Sequence, residues 1–445
     1  MRGHAETSSR LVKLLRDRRD RNAQGDGPTT AVAGPDEIRG KIWLQRAITL
    51  WIVLLAAASV KAIVQPNHHT VYHIFSASAR HWWQDMPLQA DYNDQGIPLY
   101  RYSPTFAIAM TPLAVFPDWL GGILWNVISV TLFVWSLRML ARELLPGSWP
   151  PWREGLFLAL ALFGSLRGIW SGQSNSLVFA LIVFAMVAIT RRRWWTASCL
   201  LALPVFIKIW PLAVVLLLMA CWPRQLIWRF LVPTTLLAAV PFLTRPLHVV
   251  AWQYQGWYQS LTGVQHDRCP GFRDAWTIWE NVWPPVNWHA YAALQLATAL
   301  AVLAWCLWQK RRSDSTGQLL TAILAIWIAW QLLLGPGTER LTYQLIAPMA
   351  SWALLVSYAR KRGRVLSTAA WLMTGMFSMG AFERALLPYL PWAEVLLPLG
   401  IVAFIVWLMA NRWKQAPVKQ PTALDREAVL AIVEEGPACK QISFS

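Results

Sequence analysis

The groups able to do acid–base chemistry concentrate in one run, residues 65–103. It holds His68, His69, His73 and His81, four of the eight histidines, with Asp85, Asp91, Asp94, Arg80 and Arg101. A hydroxyl acting as a nucleophile needs an acceptor for its proton, and imidazole or carboxylate serves. His68, His69 and Asp91 are candidates from this run, and later polar stretches add Asp267, Asp274, Glu280 and Glu339. His68–His69 followed by His73 has the spacing of metal ligands, but no carboxylate clusters with them, so no metal is expected. Three cations stand at the ends of apolar segments: Lys208 in VFIKIWPL, Arg167 ahead of Gln173, and Arg340 in LGPGTERLTY. A cation there is costly unless it snorkels or meets an anion. Three of them suit a phosphate carried on a lipid. Gln173 and Asn175, in GQSN, offer the amide groups that read sugar hydroxyls, although Asn175 would also serve as a helix cap. No Ser/His/Asp order, HExxH, Walker A or GxGxxG pattern is present.

A membrane-embedded scaffold must position these groups. Of 445 residues, 56% are hydrophobic and 14% charged, about half the charge of a soluble chain. Apolar runs of about 13–20 residues recur almost to the end, which predicts an all-α, polytopic integral membrane protein. The alternating strands of a β-barrel are missing. Residues 1–46 are expected as a disordered cytoplasmic tail, 47–411 as the transmembrane domain and 412–445 as a second cytoplasmic tail. Counting every apolar run gives thirteen, and two cytoplasmic ends require an even number. One short segment between 104 and 222 therefore does not cross, leaving about twelve transmembrane helices. With that parity the loops 65–103, 244–289 and 335–342 share the outer side. Within the first, Val71, Phe75, Ser78/Ala79 and Trp82 fall on one helical face. That spacing predicts a helix over 71–83 lying in the interface with its apolar side to lipid.

The net charge of +17 is spread as short basic clusters between spans, such as Arg191–Arg193 and Lys310–Arg312. This is the positive-inside pattern, so no nucleic-acid partner is expected. Five cysteines show neither metal spacing nor an outer disulfide framework.

The order LYRYSPTFAIAMTPLAVFP, SGQSN, KIWP with a basic turn, and GPGTERLTYQLIAP resembles glycosyltransferase family 87, over about residues 47–411. The resemblance implies a GT-C-like bundle whose outer-face loops carry interfacial helices. It implies metal-independent, inverting transfer of a hexose, typically mannose, without a cofactor. The donor would be a polyprenyl-phosphate sugar and the acceptor a lipid or glycan on the extracytoplasmic face of the cell membrane. Lys208, Arg167 and Arg340 would then hold the donor phosphate, and Gln173, Asn175, Tyr102, Glu339 and Tyr343 would touch the substrates. The family pattern places an Asp four residues before a Tyr in the first outer loop, as the base. Here Tyr72 is preceded at that spacing by His68, with His69 beside it. Either a histidine takes the role, or Asp85, Asp91 or Asp94 reaches in, or the protein is altered or inactive. Two other classes stay open: a transporter or flippase built on broken helices, and a non-catalytic envelope-assembly subunit.

Overall fold

The structure is a computed structural model that describes residues 35–66, 70–95, 97–263, 271–313 and 315–411. Among them the chain is helical nearly throughout and contains no β-strand. Helix α1 (Pro35–Val64) leads to α2 (Tyr72–Trp83), then α3 (Pro104–Ala114) and α4 (Asp118–Met139). Two broken pairs follow: α5 (Pro151–Trp170) with α6 (Asn175–Thr190), and α7 (Trp194–Ile207) with α8 (Leu212–Cys221). Helix α9 (Pro223–Ala239) precedes α10 (Leu247–Gly263) and α11 (Ala275–Val282). The remainder is α12 (Trp288–Arg312), α13 (Thr316–Leu334), α14 (Ala347–Arg360), α15 (Arg364–Ser378), α16 (Ala381–Leu386) and α17 (Leu396–Ala410).

Among the described residues six segments are long and apolar enough to cross a bilayer: Arg39–Val64, Asp118–Leu144, Pro223–Leu243, Trp288–Arg312, Thr316–Leu334 and Ala393–Ala410. The helices α3, α6, α7 and α8 are apolar but shorter. A helix that is apolar all round must sit either in a core or in lipid, and its neighbours decide which. In α6, Val178, Phe179, Ile182, Val183 and Met186 are sealed inside the bundle, and α13 is likewise enclosed. On α12, Leu296 and Leu300 face outward, as a lipid-facing helix requires.

Three expectations are revised. The first helix begins at Pro35, inside the stretch expected as tail. The 244–289 stretch holds two helices, with the Asp274 side chain accepting from Trp276 N (3.1 Å) at the start of α11. The helix over 71–83 forms, but its apolar face meets protein. Phe75 packs edge-on against Tyr102, Phe106 and Trp125 at 4.9–5.3 Å between centroids. The Trp82 indole donates to Thr244 Oγ1 (3.2 Å), leaving Trp83 as the exposed ring. Period alone shows which face is apolar, not what covers it.

Helix α3 lies along α2. Phe106 meets Phe75, the Trp83 indole donates to Thr111 Oγ1 (2.9 Å), and the Tyr72 hydroxyl donates to Leu113 O (2.9 Å). Burial holds that phenol protonated, with its pKa pushed up to about 12. The Tyr72 ring fits because Gly121 and Gly122 carry no side chain. A Cβ on Gly121 would collide with the Tyr72 hydroxyl and stand 2.7 Å from Leu113 O, whereas one on Gly122 would sit 3.4 Å from the ring. Gly121→Ala is therefore expected to cost roughly 1–3 kcal/mol, and Gly122→Ala to be tolerated. Thermal unfolding of the two variants in detergent checks this, and equal midpoints would reject the fit.

Candidate active site

Two helix breaks lie side by side. Between α5 and α6 the chain turns through Gly172, whose φ of +64° suits a residue without Cβ. Carbonyls freed by a break need donors in apolar surroundings. Trp125 Nε1 supplies Gly172 O (2.8 Å), and Val71 N supplies Ser171 O (2.9 Å), fastening the start of α2 onto this break. The second break, residues 208–211, is started by extended backbone at Lys208 and ended by Pro211. Ser103 joins the first loop to it. Its hydroxyl receives Phe106 N to cap α3 and donates to Phe206 O (2.6 Å), two residues before Lys208.

These ties bring four motifs to one point. Lys208 Nζ donates to Asn175 Oδ1 (2.9 Å) and stands 5.7 Å over the Tyr102 ring. Asn175 Nδ2 in turn donates to Leu341 O (3.0 Å). Asn175 is thus a bridge between the lysine break and the 335–342 loop, not a helix cap. Glu339, on that loop, is exposed, yet its charge reaches both Lys208 and the Tyr102 hydroxyl. Burial first and Glu339 second push the Tyr102 phenol above its ordinary range, so it stays a hydrogen-bond donor. Gln173 is buried, and its Oε1, like Arg101 Nε, finds no protein partner among the described residues, whereas the Ser174 hydroxyl lies within bonding reach of the Tyr102 phenol. Buried polar atoms are nearly always bonded, so these two are groups to which a hydroxyl- or phosphate-bearing ligand can bond.

Other expected site residues lie apart from this point. Arg340 Nη2 is held by Glu383 Oε1 (2.8 Å), which also binds Arg273 Nη2 (2.7 Å), while Glu394 lies 3.1 Å from Arg273. Tyr343 is fully buried and donates to Arg273 O (2.7 Å), so it braces the loop. Arg167, in the last turn of α5, neighbours Lys61, which donates to Trp170 O (2.9 Å). Asp91 is exposed and accepts from Asn93 N (2.9 Å), as in a turn. His68 and His69 lie outside the described residues; Thr70, which follows them, lies against Gly172. Among the described residues no three His, Cys, Asp or Glu cluster as metal ligands.

A model of glycosyltransferase family 87 matches residues 100–357, more than half of the chain. The chain belongs to glycosyltransferase family 87. None of the curated proteins compared with it matches. The family match takes in Tyr102, Gln173, Asn175, Lys208, Glu339 and Arg340, so the meeting point lies inside it, while the position of His68 precedes it. This member of family 87 is accordingly a multi-pass membrane glycosyltransferase. Sequence reading missed Glu383 in the enzyme. The available signal was an acid at the end of an apolar run, in AFERALLP, where an ionisable group is rarely idle.

Proposed function

We propose that this glycosyltransferase moves a hexose, with mannose the first candidate, from a polyprenyl-phosphate donor to a lipid or glycan acceptor. Transfer takes place at the extracytoplasmic face of the cell membrane and inverts the anomeric centre. The observation that carries the reading is Lys208, a cation at a helix break, held by Asn175 and seated over Tyr102. A phosphate there gains a charge-assisted bond, while Gln173, in the neighbouring break that Asn175 ties to Lys208, has bonding capacity in hand. Arg340, held by Glu383, and Arg167, beside Lys61, lie apart from it and are kept as further cations of the reading.

The scaffold in this reading is a GT-C-like bundle of twelve crossings. That number follows if α6, α7, α8 and the helices α5, α14 and α15 span while α3 lies along α2. Short or broken spans are tolerated when shielded by neighbours, as α6 is. The breaks and polar stretches gather at one end of the bundle, which favours surface chemistry over passage of a solute. In the reading, residues 1–34 and 412–445 face the cytoplasm.

The test uses protein in lipid nanodiscs, polyprenyl-phosphate [14C]mannose or GDP-[14C]mannose, and octyl α-mannoside as acceptor. Label is expected to leave the polyprenyl donor alone, giving a product of opposite anomeric configuration. Transfer from the nucleotide sugar, or retained configuration, rejects the reading.

A further inference from the structure

Carboxylates at the polar end sort by what they hold. Asp85 pairs with Arg245 (2.9 Å), Asp118 with Arg80 (2.9 Å), and Glu383 and Glu394 with Arg273. Asp274 caps α11 and Asp91 holds a turn. Asp94 and Glu280 are exposed, and no described contact leads from them to Lys208.

Glu339 is placed differently. Its side chain holds no hydrogen bond or ion pair among the described residues, yet its backbone is fixed on both sides. Phe272 bridges to it, Thr338 O accepts Arg273 N (2.7 Å), and Leu341 O accepts Asn175 Nδ2 (3.0 Å). Asn175 is also the acceptor for Lys208. The carboxylate therefore stands two residues from a carbonyl tied to the lysine's own partner, close enough for its charge to be felt without a contact pair. In an in-line displacement the incoming hydroxyl and the leaving phosphate lie on opposite sides of the carbon between them. A contact pair with Lys208 would close that gap; a separated, rigidly mounted carboxylate leaves room for a sugar ring.

Resting on the glycosyl-transfer reading above, we propose that Glu339 is the catalytic base. Its carboxylate takes the proton of the acceptor hydroxyl as that oxygen bonds to the anomeric carbon. The bond from that carbon to the phosphate oxygen breaks, and its electron pair leaves on the polyprenyl phosphate held at Lys208. Because Glu339 is exposed, the proton then passes to water. This chain has no Asp four residues before Tyr72, and on this proposal the base comes from the 335–342 loop instead.

The experiment measures kcat with the polyprenyl-phosphate [14C]mannose and octyl α-mannoside pair in nanodiscs, donor Kd by filtration, and the thermal midpoint. Loss of a general base lowers turnover by about 10²–10⁴-fold. That loss is expected for Glu339→Gln with donor Kd and midpoint unchanged, Glu339→Asp restoring part of the rate. His68→Gln and His69→Gln are expected to keep turnover within about tenfold of wild type. The proposal falls if Glu339→Gln turns over at wild-type rate, if its donor Kd rises in step with the loss, or if both Glu339 variants melt early. It falls equally if either histidine variant abolishes turnover while Glu339→Gln does not. A wild-type protein that transfers nothing from this donor removes the glycosyl-transfer reading itself, a result unlike any of these.

Discussion

Replacing Lys208 with Met is expected to weaken donor binding by about 10- to 150-fold, because a charge-assisted contact to phosphate is worth roughly 1.5–3 kcal/mol. Methionine keeps the unbranched side chain to within one atom of its length and removes the charge. The fold should stand: Asn175 loses one donor but keeps its bond to Leu341 O, and Ser103 still ties the loop to Phe206. The contact over the Tyr102 ring survives as a sulfur–aromatic contact of modest strength. Direct binding of a polyprenyl-phosphate sugar to wild type and variant in nanodiscs decides it. An unchanged Kd would make Lys208 a strut for Asn175 and nothing more.

The second large effect is on stability. Glu383 has no exposed surface, and Arg273 has 3% of its side chain exposed. Two guanidinium groups converge on the one carboxylate. Removing one partner of a fully buried pair costs about 3–5 kcal/mol, and Glu394, 3.1 Å from Arg273, offsets part of that here. Glu383→Gln should therefore lower the unfolding midpoint and open residues 335–342 to protease. Arg340→Met should cost less, because Arg340 is partly exposed and Arg273 keeps its carboxylate. The same variant sorts the roles of Arg340: weaker donor binding at unchanged midpoint marks a phosphate ligand, the reverse a fastening. Equal midpoints for wild type and Glu383→Gln would show that the cluster carries no stability.

What the sequence discloses follows from how local each signal is. The breaks at 171–174 and 208–211 are legible because Gly, Ser and Pro end helices whatever surrounds them. Helix α2 is legible from the spacing of Phe75, Ala79 and Trp82, but its cover is not, since lipid and protein are both apolar. The short helix α3 looks like any short span in sequence. Only Phe106 against Phe75 and Leu113 against Tyr72 reveal its course. Arg340 reads as a cation in search of an anion, and its chosen anion, 43 residues away, follows no periodicity. Glu339 reads as one loop acid among several. Its distinction arises from Asn175, which joins Lys208 to Leu341 across the bundle.

The pairing of Arg273 with Glu383 also sets an order in time. The two residues are 110 positions apart, and at about 5–20 residues per second a ribosome needs roughly 5–20 s to travel between them. During that interval Arg273 and then Arg340 are translated without the carboxylate they share. This end of the bundle cannot lock until α16, which carries Glu383, has emerged. A nascent chain halted just short of residue 383 would contain every residue of the family match and still have an unfinished site. Quality control that samples this end would therefore read out completion of the C-terminal helices, although none of their described residues meets Lys208.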